Sequence, residues 1–378
     1  MTCSSAIGGA IVFDPVRGLC DMRSAALEKR SFEFLKRMLS SPSPSGYEKP
    51  VQRIWSEYTR EFAEVRIDSH GNAIGVVNPE GRPRLMLAGH CDEIGFLVRY
   101  IDDNGFIYFS PIGGFDESIV PGRRVYIHTY SGPLPGVIGK IPIHLMSSEA
   151  RGRASRVQDV CIDIGARDRN DTESVVSIGD PITYSYDFVE LRNGLATARA
   201  FDDRIGSFMV SEVLRTLSGS KKLKASVHGV STVQEEIGMR GATTSAFGID
   251  PDVALATDVT HATDYPGVDK KQVGDIRLGG GAVIARGPNI NPRVFDLLVE
   301  TAKIAGIPYQ VQGVPRGTGT DANPIQLTRL GVPTGLVSPP LRYMHTPVET
   351  LDMRDVQSII KLMTAFAEAL TPDMDFIP

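Results

Sequence analysis

Strand-like and helix-like patterns alternate along most of this chain, and one long stretch lacks the helical pattern. From Ile205 onward, apolar runs typical of buried strands alternate with segments whose apolar residues recur at helical spacing. Between about Arg99 and Tyr186, only short β-like runs occur, separated by Gly, Pro, Asp and Ser. The alternation favours helices packed on both faces of a central sheet, and the intervening stretch favours a small β-barrel or sandwich.

These patterns predict an α/β fold in which one α/β domain is interrupted by a β insert. We expect residues 25–95 and 187–378 to form the α/β domain, and residues 96–186 to form the insert. Residues 1–24 are interpreted as a weakly structured extension. A helix is predicted over "ANPIQLTRL", residues 322–330.

Charge and cysteine content exclude several classes of function. The net charge of −5 is spread along the 378 residues without a basic run, so we expect neither nucleic acid nor a membrane as partner. A peptide or small-molecule substrate fits better. The four cysteines are scattered and form no CxxC pair, which disfavours a disulfide framework or a cysteine zinc site and favours a cytoplasmic location.

Polar residues cluster at five points where apolar strands are predicted to end, which is where open α/β sheets place their ligands. The five points are His90 with Asp92, Asp202 with Asp203, Glu235 with Glu236, Asp258, and His345. Each has an ordinary structural interpretation as well. The run "DDR", for example, could cap a helix and form a surface ion pair. The convergence of all five points favours a common site.

Two histidines and several carboxylates, with no thiolate, suit one or two divalent cations of the zinc, cobalt or manganese type. Two neighbouring cations need a carboxylate that gives one oxygen to each, because a shared anion offsets their repulsion. An aspartate would serve as this bridge. His90 and Asp92 lie two residues apart on one strand face, so the carboxylate can orient the imidazole.

The doublet Glu235-Glu236 closes an apolar run that reads as a buried strand. Adjacent side chains at a strand end point in different directions. One glutamate can therefore bind metal while its neighbour handles a proton, and a carboxylate beside two cations is placed to act as general base.

Six ordered motifs resemble those of the glutamyl-aminopeptidase-like metallopeptidases, the TET aminopeptidases. The motifs are "GHCDEIGF", "ARAFDDRIG", "TVQEEIG", "ALATDVTHA", "GTGTDAN" and "YMHTPVET", and the match extends from about Ser31 to Thr371. The resemblance implies a phosphorylase/hydrolase-like α/β/α sandwich as the metallopeptidase catalytic domain. It also implies that the insert is a β-barrel dimerisation domain. Dimers of family members assemble into a hollow dodecamer, so we expect a homo-oligomer.

The resemblance also implies roles for individual residues. His90, Asp202 and Asp258 would bind one metal, and Asp202, Glu236 and His345 the other. Glu235 would be the general base, and Asp92 would orient His90.

The implied reaction is removal of the N-terminal residue from peptides, with two divalent metal ions per subunit, zinc or cobalt. The peptide bond between Asp202 and Asp203 would be cis. Asp321, in "GTGTDAN", and His261 receive no role.

Two alternatives remain open at this point. A glycoside hydrolase also uses paired carboxylates, but adjacent glutamates cannot oppose each other across a sugar bond. A non-catalytic assembly protein on the same fold would have no evident need for Glu235.

Overall fold

The computed structural model describes residues 27–378, apart from the side chains at positions 149 and 150. The predicted extension over residues 1–24 lies outside the described residues. Within residues 27–378, no helix is both long enough and apolar enough to cross a membrane.

Nineteen strands lie within residues 27–378. In chain order they are β1 (Glu64–Ile67), β2 (Ala73–Val77), β3 (Arg84–His90), β4 (Gly95–Ile101), β5 (Ile107–Ile112), β6 (Arg124–Thr129), β7 (Gly132–Gly139), β8 (Cys161–Asp163), β9 (Pro181–Tyr184), β10 (Val189–Glu190), β11 (Leu195–Ala198), β12 (Ser226–Thr232), β13 (Val253–Thr257), β14 (Thr260–His261), β15 (Ala282–Arg286), β16 (Tyr309–Gly313), β17 (Thr334–Ser338), β18 (Pro340–Leu341) and β19 (Glu349–Asp352).

Ten α-helices occur in the same part of the chain. They are α1 (Lys29–Ser40), α2 (Lys49–Thr59), α3 (Ser148–Arg151), α4 (Arg169–Glu173), α5 (Phe201–Ser218), α6 (Arg240–Ile249), α7 (Lys270–Val273), α8 (Pro292–Ile304), α9 (Ala322–Gln326) and α10 (Met353–Ala369).

A central eight-stranded sheet has the order β1-β2-β12-β3-β13-β17-β15-β16. Its four middle strands, β12, β3, β13 and β17, run parallel to one another. Strand β13 is buried along its whole length, because helices cover both faces of the sheet. Parallel strands place their carboxyl ends at the same edge, so this order sets where a ligand can bind.

Alternate side chains of the middle strands enter two different cores. On one face, Leu85 and Leu87 pack with residues of α1, α2, α5, α8 and α10. On the other face, Met86 and Ala88 pack with residues of α6 and α9. The α/β/α sandwich expected from the sequence is therefore confirmed.

Close packing of β3 against α5 depends on Gly89. A Cβ on Gly89 would lie 2.6 Å from the carbonyl carbon of Gly206 in α5, so the helix backbone leaves no room for a side chain there. This contact brings the last residue of β3, His90, close to the first turn of α5, which contains Asp202.

A closed barrel with the strand order β4-β5-β8-β7-β6-β9 lies between β3 and β10 in the chain. All of its strand pairs are antiparallel. Its interior is a separate apolar core that includes Phe96, Ile127 and Ile182. The barrel expected from the sequence is thus present, while the exact domain boundaries and the role in dimerisation stay predictions.

The helix predicted over residues 322–330 is shorter than expected. Helix α9 ends at Gln326, and Arg329 has a left-handed backbone with φ of 53°. The Arg329 side chain donates hydrogen bonds to the carbonyl oxygen of Phe247, which lies in helix α6. This tertiary contact explains why the helical spacing of the sequence is not followed.

Candidate metal centre

Three neighbouring parallel strands end at one edge of the sheet with a polar residue. His90 is the last residue of β3, and its Cα is opposite that of Thr232, the last residue of β12. Glu235 and Glu236 follow β12, and Asp258 directly follows β13. The strand order therefore brings together three of the five points predicted from the sequence.

Asp202 and His345 reach the same place from other elements, and Asp202 lies between the two imidazoles. Its Oδ1 is 3.2 Å from His90 Nε2, and its Oδ2 is 3.2 Å from His345 Nε2. Each oxygen of one carboxylate thus faces a different histidine. This is the geometry that a carboxylate bridging two cations requires.

The other predicted residues surround this core. Glu236 Oε2 lies 3.5 Å from His345 Nε2. Asp258 Oδ1 and Glu235 Oε2 each lie 3.9 Å from His90 Nε2. All five points predicted from the sequence therefore meet at one site.

Two groups of side chains offer atoms that lie within 4.8 Å of one another and could hold a metal ion. They are His90 with Asp202 and Glu236, and His90 with Asp203 and Asp258. The second group contains Asp203, which the predicted ligand sets do not. However, Asp203 already accepts from the backbone N–H of Gly206 at 3.1 Å and from that of His90 at 3.3 Å.

An unpaired buried oxygen indicates that this donor set fits a cation. Glu236 Oε1 is buried without a hydrogen-bond partner. A buried oxygen without a partner costs about 1–3 kcal/mol, and a cation or an ordered water satisfies it. Nitrogen and oxygen donors without sulfur suit zinc, cobalt or manganese.

The carboxylates of the site also carry more negative charge than the two imidazoles can offset. Burial raises the pKa of Glu235 to about 8. Burial and neighbouring carboxylates raise the pKa values of Glu236 and Asp258 well above their ordinary range. Bound cations would remove this penalty by stabilising the ionised forms.

Asp92 connects His90 with the glutamate doublet. His90 Nδ1 lies 3.1 Å from the backbone oxygen of Asp92 and 3.4 Å from its Oδ1. The Asp92 carboxylate accepts from the backbone N–H of Glu235 at 3.0 Å and of Glu236 at 3.2 Å, and from the Ser45 hydroxyl at 2.6 Å. Asp92 is therefore placed to hold the imidazole and both glutamates.

The arginine of "DDR" is fully buried, so the surface ion pair considered from the sequence is wrong. Arg204 forms an ion pair with Glu93, and it donates hydrogen bonds to the Ser43 hydroxyl at 3.1 Å and to the backbone oxygen of Met38 at 2.9 Å. Glu93 also binds Arg199. These contacts fix the loop after β3 against α5.

Two further buried acids, Glu349 and Asp321, lie within the motifs "YMHTPVET" and "GTGTDAN", but the sequence assigns neither of them a role. Glu349 is buried and accepts from the backbone N–H of both Asp202 and His345. Asp321 accepts from the Thr232 hydroxyl at 2.5 Å, while His261 is exposed in β14. The peptide bond between Asp202 and Asp203 is cis, as the family resemblance implies.

A loop of the barrel forms one wall of the site. A Cβ on Gly113 would lie 3.5 Å from Glu236 Oε2, and a Cβ on Gly114 would lie 3.5 Å from His345 Nδ1. The backbone after β5 therefore approaches two of the predicted ligands directly.

Comparisons with known proteins agree on one family. A family model described as M42 glutamyl aminopeptidase matches residues 71–362. The lysyl aminopeptidase of Pyrococcus furiosus is 38% identical over 352 residues, which cover 92% of this chain and 99% of that protein.

Solved structures show the same similarity. A TET aminopeptidase from Thaumarchaeota archaeon SCGC AB-539-E09 has a TM-score of 0.86 and 34% identity, over 90% of this chain and 96% of that one. The TET1 peptidase of Pyrococcus horikoshii, which can assemble into a tetrahedron or a large octahedral shell, has a TM-score of 0.81 and 32% identity. The match extends over 90% of this chain and 100% of the TET1 chain.

We expect the metal-free protein to lose stability as the pH rises. The pKa of Glu235 is about 8 in the folded chain against an ordinary value of 4.5. The resulting stabilisation is complete below the ordinary value and is lost as the pH rises through about 8, at about 1.4 kcal/mol per pKa unit. Thermal unfolding of chelator-treated protein should therefore show a falling melting temperature over this range.

Adding cobalt(II) should raise the melting temperature more at the alkaline end of this range than at the acid end. Glu235→Gln serves as the control and should flatten part of the pH dependence of the metal-free protein. A gain in melting temperature that is equal at both ends would contradict the electrostatic explanation.

Proposed function

Because the chain belongs to the M42 glutamyl aminopeptidase family, and is therefore an aminopeptidase that hydrolyses peptide bonds, we propose how its residues perform this reaction. We assign His90, Asp202 and Asp258 to one divalent ion and Asp202, Glu236 and His345 to a second. Zinc or cobalt suits these donors. Asp258 is preferred to Asp203 as a ligand because backbone N–H groups already occupy both oxygens of Asp203.

The observation that carries the proposal is the position of Asp202. Its two oxygens are each 3.2 Å from a different imidazole, and Glu235 stands beside this arrangement, 3.9 Å from His90 Nε2. When bound, the two ions would polarise the scissile carbonyl and lower the pKa of the attacking water. Glu235 then takes a proton from that water and passes it to the leaving amine nitrogen. Asp92 orients His90.

Cleavage at the N-terminal residue follows from recognition of the free amine. We propose that the N-terminal amine of a peptide binds close to one of the ions and near the site's carboxylates. The carboxylates beside His90 and His345 support this, because a free amine can donate to their oxygens or bind an ion, whereas an acylated nitrogen has no lone pair to offer an ion.

We further propose that the barrel forms dimers and that the dimers assemble into a dodecamer. The closed barrel of β4 to β9 and the tetrahedral assembly reported for the TET1 peptidase of Pyrococcus horikoshii support this proposal. A cytoplasmic location is proposed from the scattered cysteines of the sequence; Cys91 and Cys161 are free thiols.

Replacing Glu235 with Gln should keep both metal ions and lower the turnover number by about 10²–10⁴-fold, because the amide cannot accept the proton. Elemental analysis and steady-state kinetics measure the two effects. As a matched control, Glu236→Gln alters a predicted ligand and should reduce bound metal. Retained turnover in Glu235→Gln would defeat the assignment of the general base.

A substrate panel separates the proposed reaction from the alternatives. Aminoacyl-anilides should be cleaved, N-acetylated versions should resist cleavage, and a chelator should abolish activity. Glu235 and Glu236 are adjacent in the chain and both donate their backbone N–H to the Asp92 carboxylate, which does not suit acid and base groups on opposite sides of a sugar bond. Cleavage of cellulose fragments, or inactivity of metal-loaded protein on every anilide, would overturn the proposal.

The proposed assembly is tested by light scattering of the purified protein. We expect a particle of twelve chains, with a dimer as the smaller species. A monomer that is active at micromolar concentration would contradict the proposed role of the barrel.

A further inference from the structure

We propose that Glu349 is a positioning residue that holds Asp202 and His345 in the arrangement needed to share the second metal ion. This inference rests on the proposed function. Glu349 Oε2 accepts from the backbone N–H of Asp202 at 3.1 Å, and its Oε1 accepts from the backbone N–H of His345 at 3.0 Å. One buried carboxylate thus joins the two predicted ligands through their main chains.

The two ligands come from different elements, which the antiparallel pairing of β11 with β19 places side by side. Asp202 lies in the first turn of α5, while His345 lies in the loop before β19. His345 has a left-handed backbone with φ of 60°, which is uncommon for a residue with a side chain. A conformation of this kind persists when neighbouring contacts fix it, and Glu349 supplies such a contact.

Glu349 itself is fixed by the sheet. Its Cα is paired with that of Ala198 in β11, and β11 leads directly into α5. The carboxylate is only 2% exposed, so water does not compete for its oxygens. The β11–β19 pairing therefore holds Glu349 where its two oxygens reach both N–H groups, and these hydrogen bonds fix the Asp202 turn relative to the His345 loop.

The role requires a carboxylate and not merely a polar side chain. Both oxygens of Glu349 act as acceptors, whereas an amide offers one acceptor and one donor. In Glu349→Gln, one of the two backbone N–H groups would face an NH2 group. Either the Asp202 turn or the His345 loop would then shift.

Glu349 and Asp92 act alike on opposite parts of the site. Asp92 accepts from the backbone N–H of Glu235 and Glu236, as Glu349 does from those of Asp202 and His345. In both cases a buried carboxylate holds predicted site residues by their main chain and leaves their side chains free for the roles proposed above. Such supporting contacts typically change metal affinity by about 10–100-fold when removed.

The chain contains a matched control for a purely structural role. Asp355 is 1% exposed, and its two oxygens accept from the backbone N–H of Gly279 and Gly281, each at 2.7 Å. It performs the same kind of hydrogen bonding on helix α10, with two glycines that are not among the predicted ligands. Asp355→Asn should lower stability without changing the metal ions.

In the experiment, cobalt(II) is titrated into the metal-free full-length protein. Calorimetry measures the heat of binding and hence the affinities, and visible spectroscopy measures the absorption of the bound cobalt. Wild type should bind two ions. Glu349→Gln should bind one ion as wild type does and the other about 10–100-fold more weakly, with an altered absorption spectrum. Asp355→Asn should match wild type in both affinities and in the spectrum, although its melting temperature falls.

Three results would overturn the inference. They are wild-type affinity for both ions in Glu349→Gln, equal loss of affinity in both variants, and rescue of both affinities by Glu349→Asp, whose shorter side chain cannot span the two N–H groups. If Glu349→Gln does not fold, Glu349→Asp carries the test with the same expected weakening. Failure of wild type to bind two ions would instead overturn the proposed function itself.

Discussion

Buried negative charge at one edge of a parallel sheet is the constraint on which this structure depends. Carboxylates outnumber imidazoles at the site, and burial raises the pKa values of Glu235, Glu236 and Asp258. Such a group of acids is stable in its ionised form only with compensating positive charge. The arrangement therefore makes sense as a receptor for cations, and the aminopeptidase family of the chain agrees with that reading.

The surrounding fold keeps these acids in place with backbone donors and buried arginines. Asp92 and Glu349 hold predicted ligands by their main-chain N–H groups. Arg204 and Arg199 bind Glu93 just after β3, where the chain passes beside α5. The missing side chain of Gly89 allows β3 and α5 to approach closely enough for His90 to reach Asp202.

The sequence predicted the site better than its supporting residues, for a physical reason. Residues such as His90 and Glu235 follow long apolar strands, so their positions were visible as polar ends of buried runs. Glu349 acts by accepting main-chain N–H groups, and that role leaves no periodic pattern. Asp203 was among the predicted points, but its hydrogen bonds to the N–H groups of Gly206 and His90 could not be read from the sequence. The short helix α9 was overestimated because the contact between Arg329 and Phe247 overrides local spacing.

The barrel loop at Gly113 and Gly114 gives the insert a share in the candidate metal centre. The barrel is therefore not an interchangeable module that could be excised or exchanged for a different connector. A chain trimmed to its sandwich would leave Glu236 and His345 open to bulk water on that side. Protein engineers who shorten or graft this scaffold need to retain the turn after β5 as part of the enzyme.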